Sequence, residues 1–355
     1  MSLERLRTYM EKQGLDGFFI QNHENVRYIS GYTGDDSYLL ITRDRQFFIT
    51  DPRYTEQAAA ECPDYTLVSW RQAAPTVGQY VADLAEEQHL KAVGYEKNLI
   101  TVKFYESLTA AKSVEWVGTE GVVEDFRSVK TPEEIANLHV ACEIASRAFE
   151  KIIKDIRVGI TEKELASRLS HYMVMEGSDT KPYGNILISG ARTSLLHGIP
   201  SSKAIEYGDL VLMDYGCQYK GYLSDMTRTV VVGRATARQR EVYELEQKMV
   251  AACESKMAAG NLGREVYEAS TEIIKDTEYF QYHYTGIGHG IGLFVHETPF
   301  MGPKNETPLK ANQVVTVEPG IYIPGWGGVR IEDQVLVTET GCVNMVSATK
   351  ELIEL

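Results

Sequence analysis

Cysteine is scarce in this chain, and positive charge is outweighed. The 355 residues hold 5 cysteines (Cys62, Cys142, Cys217, Cys253, Cys342), scattered, odd in number and free of C-x-x-C spacing. That excludes a thiolate zinc framework or a disulfide scaffold and suits a reducing compartment. Lys and Arg number 36 against 50 Asp and Glu, a formal charge of -14. A surface so acidic is the opposite of what nucleic acid or an anionic membrane selects. No apolar run approaches the ~18 residues that would suggest a bilayer span, and no signal peptide or lipidation motif is legible. The expectation is a cytoplasmic protein with neither nucleic acid nor membrane as partner. Repeats and low-complexity tracts are absent as well.

What is present is globular: 43% hydrophobic and 24% charged residues over a length that favours two domains. Residues 4–14 read as a short amphipathic helix ending on Gly14. Gly17-Phe18-Phe19-Ile20 reads as a buried strand. The runs 38–42 and 46–50 flank Arg43-Asp44-Arg45 as a hairpin. Helices are expected over 77–90 and 102–113, with a strand at 92–96 between them. Strands and helices interleave, so residues 1–127 are expected to form an α/β domain. Its two histidines, His23 and His89, have no carboxylate at ligand spacing and read as surface residues. A boundary falls at 128–134, where Thr131, Pro132 and Glu134 spell a capping box opening a helix to about residue 154. Further helices are expected from Thr161 to about 176, over 236–259 and over 263–275. Residues 128–355 would form the second, larger domain.

The chemistry lies between and after those helices. Leu210-Val211-Leu212-Met213 is an apolar strand leading to Asp214, and 227–232 is a second strand following Asp225. With the intervening turn centred on Tyr219-Lys220, Asp214 would sit directly opposite Asp225, and facing side chains hold their Cβ atoms about 4.5–5.5 Å apart. Two buried carboxylates that close repel unless one is neutralised or a cation lies between them. By itself this hairpin is equally consistent with two exposed aspartates. A second hairpin adds weight. Glu318 follows the apolar run Val314-Val315-Thr316-Val317, Glu332 lies in 329–335, and Gly325, Gly327 and Gly328 permit the reversal. Buried strands seldom carry glutamate without a partner. His289, in Gly286-Ile287-Gly288-His289-Gly290-Ile291-Gly292, supplies a nitrogen among residues with almost no side-chain bulk. The glycine spacing imitates a dinucleotide fingerprint, but no strand–turn–helix unit surrounds it and a histidine stands at its centre. Four carboxylates and one imidazole make an oxygen-rich set that two divalent cations would neutralise. Manganese fits best, with cobalt, iron and zinc as further candidates.

The order Asp214, Asp225, His289, Glu318, Glu332 resembles, residue for residue, the ligand set of the pita-bread metallopeptidases: prolidase, aminopeptidase P and methionine aminopeptidase. The resemblance spans roughly 130–350. Before it, Tyr32-Thr33-Gly34 and Asp51-Pro52-Arg53-Tyr54 resemble the N-terminal domain of the first two. It implies an α+β architecture, a pita-bread domain preceded by a smaller α/β domain. It also implies a dinuclear metal site, hydrolysis of an Xaa-Pro bond by a metal-activated hydroxide, and a homodimer in which one N-terminal domain can border the neighbour's site. By the same resemblance, His197 and His296 are the substrate-side histidines, Arg330 is the arginine before the last ligand, and Glu318 is the proton shuttle. The reaction itself calls for an oxyanion donor and a proton for the leaving nitrogen. The two histidines suit these roles in either order, and Arg330 suits either catalysis or the buffering of the acidic cluster. Xaa-Pro dipeptidase is the expected activity. Xaa-Pro aminopeptidase, acting on longer peptides, is the alternative, because several prolidases carry an arginine soon after the His-Glu-x-Pro motif and here Phe300 follows Pro299. Two readings of other kinds weigh less. Creatinase shares the fold but lacks the acidic set, and a non-catalytic binding module would have lost ligands that are all present here.

Overall fold

The computed structural model of the chain describes residues 2–110, 112–179 and 184–355. It divides into two compact units, Met1–Arg127 and Ser128–Leu355.

The first unit is built on a six-stranded sheet in the order Thr66–Ser69, Gln46–Thr50, Ser37–Thr42, Gly17–Ile20, Ala92–Glu96, Glu115–Thr119. Its strands are apolar runs rather than alternating ones, which is the pattern of a sheet covered on both faces. Phe18, Ile20, Leu39, Ile41 and Phe48 pack into one core, and their neighbours Phe19, Leu40, Phe47 and Ile49 into the other. The helix expected over 102–113 ends at Leu108 with Thr109 as its cap; Ala111 lies outside the described residues. His23 and His89 are both exposed.

Among the described residues, the second unit contains a three-stranded and a five-stranded sheet, two small two-stranded ribbons and two helix pairs. Helix Pro132–Ile152 opens on the full capping box between Thr131 and Glu134, and Thr161 caps helix Glu162–Met175. This pair packs on a three-stranded sheet ordered Met226–Val231, Leu210–Tyr215, Ile186–Ser189. Helices Ala237–Glu254 and Gly263–Ile274 pack against a five-stranded sheet ordered Glu297–Met301, Gly288–Gly290, Val314–Val317, Asp333–Val337, Cys342–Asn344. Helix Ala237–Glu254 stops short of the expected 259.

The long hairpin through Glu318 and Glu332 does not stay in one sheet. Val314–Val317 pairs with Asp333–Val337 in the five-stranded sheet, and Gly320–Ile323 pairs with Gly327–Arg330 in a separate two-stranded ribbon. The register Val317↔Asp333 on one side of the break continues as Gly320↔Arg330 on the other. Both strands therefore turn the same corner, and Glu318 and Glu332 stand across from one another in it. The corner is tied to the three-stranded sheet by the bridge Thr227↔Glu332 and by the Thr229 hydroxyl, which donates to the Arg330 carbonyl at 2.9 Å. No helix among the described residues is long and apolar enough to cross a membrane.

Candidate metal centre

The corner collects the acidic residues from three separate stretches of chain. Asp225, His289 and Glu332, all buried, present one donor atom each within 4.8 Å of the others. Glu318 joins them: its Oε1 lies 3.2 Å from His289 Nε2, and Asp225 Oδ2 lies 3.7 Å from the same nitrogen. Asp214 enters through Arg330, whose Nη2 bonds its Oδ2.

The two aspartates do not face each other. Asp214 pairs with Thr227, and the turn is centred on Lys220-Gly221, not Tyr219-Lys220. Lys220 (φ 49°) and Gly221 (φ 85°) both adopt the left-handed conformation of a two-residue hairpin turn. That choice moves the partner of Asp214 two residues along, from Asp225 to Thr227. Because side-chain direction repeats every two residues, Asp225 keeps the same face and becomes the diagonal neighbour of Asp214.

His289 owes its position to the glycines around it. A Cβ at Gly288 would lie 2.2 Å from the Thr316 carbonyl oxygen, and one at Gly290 would lie 2.3 Å from that of Thr298. Only glycine lets this short strand sit so close between its neighbours. The His289 Nδ1 lies 3.0 Å from the Gly290 carbonyl, an acceptor only, which orients the ring so that Nε2 faces the carboxylates.

Three polar residues that the sequence reading passed over support the acids. The Thr227 hydroxyl donates to Glu332 Oε2 at 2.7 Å and accepts from Arg330 Nε at 2.9 Å. The Thr316 hydroxyl accepts from the His289 backbone N–H and donates to Glu318 Oε1, both at 3.0 Å. Gln334 Oε1 accepts from the Asp225 backbone N–H at 3.0 Å. Each lies two positions from an acidic site residue, Thr227 from Asp225, Thr316 from Glu318 and Gln334 from Glu332. A polar residue at spacing two, on the same strand face, is the signal that would have found them. Arg330 is buried and spends its remaining reach on Tyr322, donating to the hydroxyl at 2.6 Å.

Electrostatics test whether these residues suit a cation. Burial, then the charges of Asp225, Glu318 and Asp214, drive the Glu332 carboxyl well above the ordinary carboxylate range, with Arg330 opposing. Burial raises Asp214 too, against the pull of Arg330. Burial works against a charged His289, yet its hydrogen bond to Glu318 and the nearby acids raise its pKa to about 9. The same bond holds Glu318 below its usual range although burial pushes the other way. Acid is in excess at a buried point, and one arginine and one imidazole do not balance it. The donor set therefore fits divalent cations, with oxygen the main ligand and His289 Nε2 the single nitrogen.

The remaining two histidines stand at the mouth. His197 and His296 are exposed. The ring of His296 lies 4.5 Å from that of His289, edge to face. Partial desolvation, then the neighbouring His289, lower the His296 pKa, so its ring is neutral near pH 7. His197 is near enough to act electrostatically on both Asp214 and His296, which puts it on the same side. Depth thus sorts the residues: Asp225, His289 and Glu332 form the floor, Asp214 and Glu318 are half-buried, and the two histidines are open to solvent.

Residues 136–339 match the sequence pattern of metallopeptidase family M24, and residues 3–129 match that of the creatinase/prolidase N-terminal domain. The chain belongs to metallopeptidase family M24. It is 39% identical over 354 residues to the Bacillus subtilis uncharacterized peptidase YqhT, covering 99% of both. Among solved structures it is similar to an Xaa-Pro dipeptidase from Bacillus anthracis (TM-score 0.95, 38% identity, 100% of this chain and 99% of that one). It is also similar to an X-Pro aminopeptidase from Thermotoga maritima (TM-score 0.92, 32% identity, 99% of each chain). This M24 chain is accordingly a metallopeptidase with the creatinase-type N-terminal domain followed by the pita-bread domain, as its residues led one to expect.

Proposed function

We propose that this M24 peptidase is an Xaa-Pro dipeptidase. In this reading Asp214, Asp225, His289, Glu318 and Glu332 hold two divalent cations, manganese being the preferred pair. The observation that carries it is the convergence of buried acids from separate strands on one imidazole, together with the likeness to the Bacillus anthracis Xaa-Pro dipeptidase. What the cations supply when bound is Lewis acidity toward the scissile carbonyl and a water whose pKa is brought near neutrality.

The chain's own residues do the rest. Glu318, half-buried and hydrogen-bonded to Thr316 and His289, accepts the proton of the attacking water at its carboxylate and passes it on. His296 and His197, at the open side, bind the oxyanion and deliver a proton to the leaving nitrogen. A prolyl nitrogen has no N–H in the peptide, so the departing amine must be protonated from the site. Arg330 is enclosed, with its donors on Thr227, Tyr322 and Asp214, so it orients the acids and does not touch substrate. We take the active form to be a homodimer. The test is metal-dependent release of proline from Xaa-Pro dipeptides, abolished by Glu318→Ala and by His289→Ala; full activity in either variant refutes the assignment.

One observation favours a second reading within the family, an Xaa-Pro aminopeptidase. Phe300 pairs with His289 across the strand ladder, so both side chains stand on one face, and Phe300 is 49% exposed. It borders an open groove of about 810 Å³ that also holds Tyr284, Met301 and Lys304. Residues beyond proline would have room there. Turnover of Xaa-Pro against Xaa-Pro-Xaa separates the two readings.

A further inference from the structure

The candidate centre has a brace beneath it. Arg228 is 1% exposed and is among the largest fully buried side chains of the chain. All three of its guanidinium nitrogens are engaged. Nε donates to the Thr349 carbonyl at 2.8 Å. Nη1 donates to the carbonyls of Thr227 at 2.9 Å and Glu332 at 2.6 Å. Nη2 donates to Asp333 Oδ1 at 2.6 Å and to the Ala348 carbonyl at 2.7 Å. Asp333, wholly buried, completes the arrangement: its Oδ2 accepts from Asn344 Nδ2 at 2.6 Å and lies 2.7 Å from Lys350 Nζ.

Two of these contacts matter most. Nη1 alone holds the backbones of Thr227 and Glu332, the two residues whose side chains meet in the acidic cluster. Thr227 lies in the three-stranded sheet and Glu332 in the corner of the long hairpin, and the isolated bridge Thr227↔Glu332 joins them. A single planar, always-charged group thus fixes their separation at the point where an acid must be aimed. A lysine has no flat fork and cannot serve two carbonyls on one side and three further acceptors on the other.

We propose that Arg228, anchored by Asp333, is a positioning residue for Glu332 and Thr227, and that through it the segment Ala348–Thr349 is coupled to the metal centre. This rests on the metal-binding reading above. Groups that orient a ligand from behind typically change metal affinity by about 10–100-fold when altered.

The test compares Arg228→Lys with the double variant Arg228→Met/Asp333→Leu. The first keeps a cation beside Asp333 and loses the fork. The second removes both charges, an exchange that buried ion pairs often tolerate in folding, and so provides a folded sample if the first is unstable. Manganese titration by calorimetry is read on chelator-stripped protein, alongside kcat and KM. The expected result is a circular dichroism spectrum like the parent's, manganese affinity lower by about 10-fold or more, and kcat reduced with KM nearly unchanged. Excess manganese should restore part of kcat. Parent-like affinity in both variants overturns the inference, as does failure of both to fold, which would make the pair a fold-holding element only. If the parent itself binds no manganese, the metal-centre reading fails first, so the two failures are distinguishable.

Discussion

Removing divalent cations should make the stability of the second unit fall as pH rises above neutrality. The cause is His289. In the folded chain its pKa is raised from 6.5 to about 9, because burial is outweighed by Glu318 and the other acids. A raised folded pKa means that the folded state holds its proton more tightly than the unfolded one. The resulting stability is fully present below pH 6.5 and is lost as pH climbs through 9. The shift corresponds to about 3 kcal/mol, a large share of the ~5–15 kcal/mol that holds a typical domain. Glu332, also raised, contributes in the same direction from about pH 4.5 upward. Glu318, lowered, contributes stability that is complete above about 4.5 and does not change in this window. For a unit of this size the His289 term amounts to a melting-temperature drop of roughly 6–12 °C between pH 6.5 and 9. Scanning calorimetry in chelator across that range measures it. With saturating manganese the decline should vanish, since the cation takes the place of the proton. His289→Gln should flatten the chelated profile to the part owed to the acids. A chelated parent whose melting temperature holds or rises from pH 6.5 to 9, or a His289→Gln variant with the parent's slope, would refute the electrostatic account of the centre.

Thr227→Val removes the hydroxyl between Glu332 and Arg330 and leaves a buried N–H and a buried carboxylate short of a partner. About 2–4 kcal/mol of stability should be lost, judged from the cost of unmaking two charge-assisted bonds, and urea unfolding in chelator measures it. Gly290→Ala places a methyl 2.3 Å from the Thr298 carbonyl oxygen and should displace His289; the expected outcome is loss of manganese binding by calorimetry, and parent-like affinity would show that the strand can give way. Phe300→Arg puts a cation on the face shared with His289 and should raise kcat/KM for Xaa-Pro over Xaa-Pro-Xaa, read from parallel proline-release and peptide-cleavage assays.

The sequence was most informative where structure depends on neighbours along the chain. The capping box at Thr131 and Glu134 and the cap at Thr161 are local hydrogen-bond patterns, and both helices begin where these residues place them. Helix ends were less legible, because nothing in 254–259 or 108–113 marks the stop as strongly as Thr131 marks the start. The acidic residues were legible as a set, since charge in apolar strands demands a reason, and they do converge. Their geometry was not. The aspartate register hinged on which two of Tyr219, Lys220 and Gly221 form the turn, and the glycine was the clue that favours Lys220-Gly221. The run 329–335 reads as one strand, yet it belongs to two sheets. Hydrogen-bond partners far away in sequence decide that, and an unbroken apolar pattern does not record them. The same limit hid Arg228: an arginine in an apolar strand looks like an edge residue until four distant acceptors surround it.

The shared corner of the long hairpin has a consequence for tuning the enzyme. Glu318 and Glu332 occupy the bend itself, whereas the hairpin's tip at Pro324-Gly325-Trp326 lies beyond it in its own ribbon. The interval between the glutamates follows the angle of the fold line and is independent of the length of the tip. Residues inserted at Gly325 would leave that interval intact. A bulkier side chain wedged behind the crease would alter it without touching a single liganding atom.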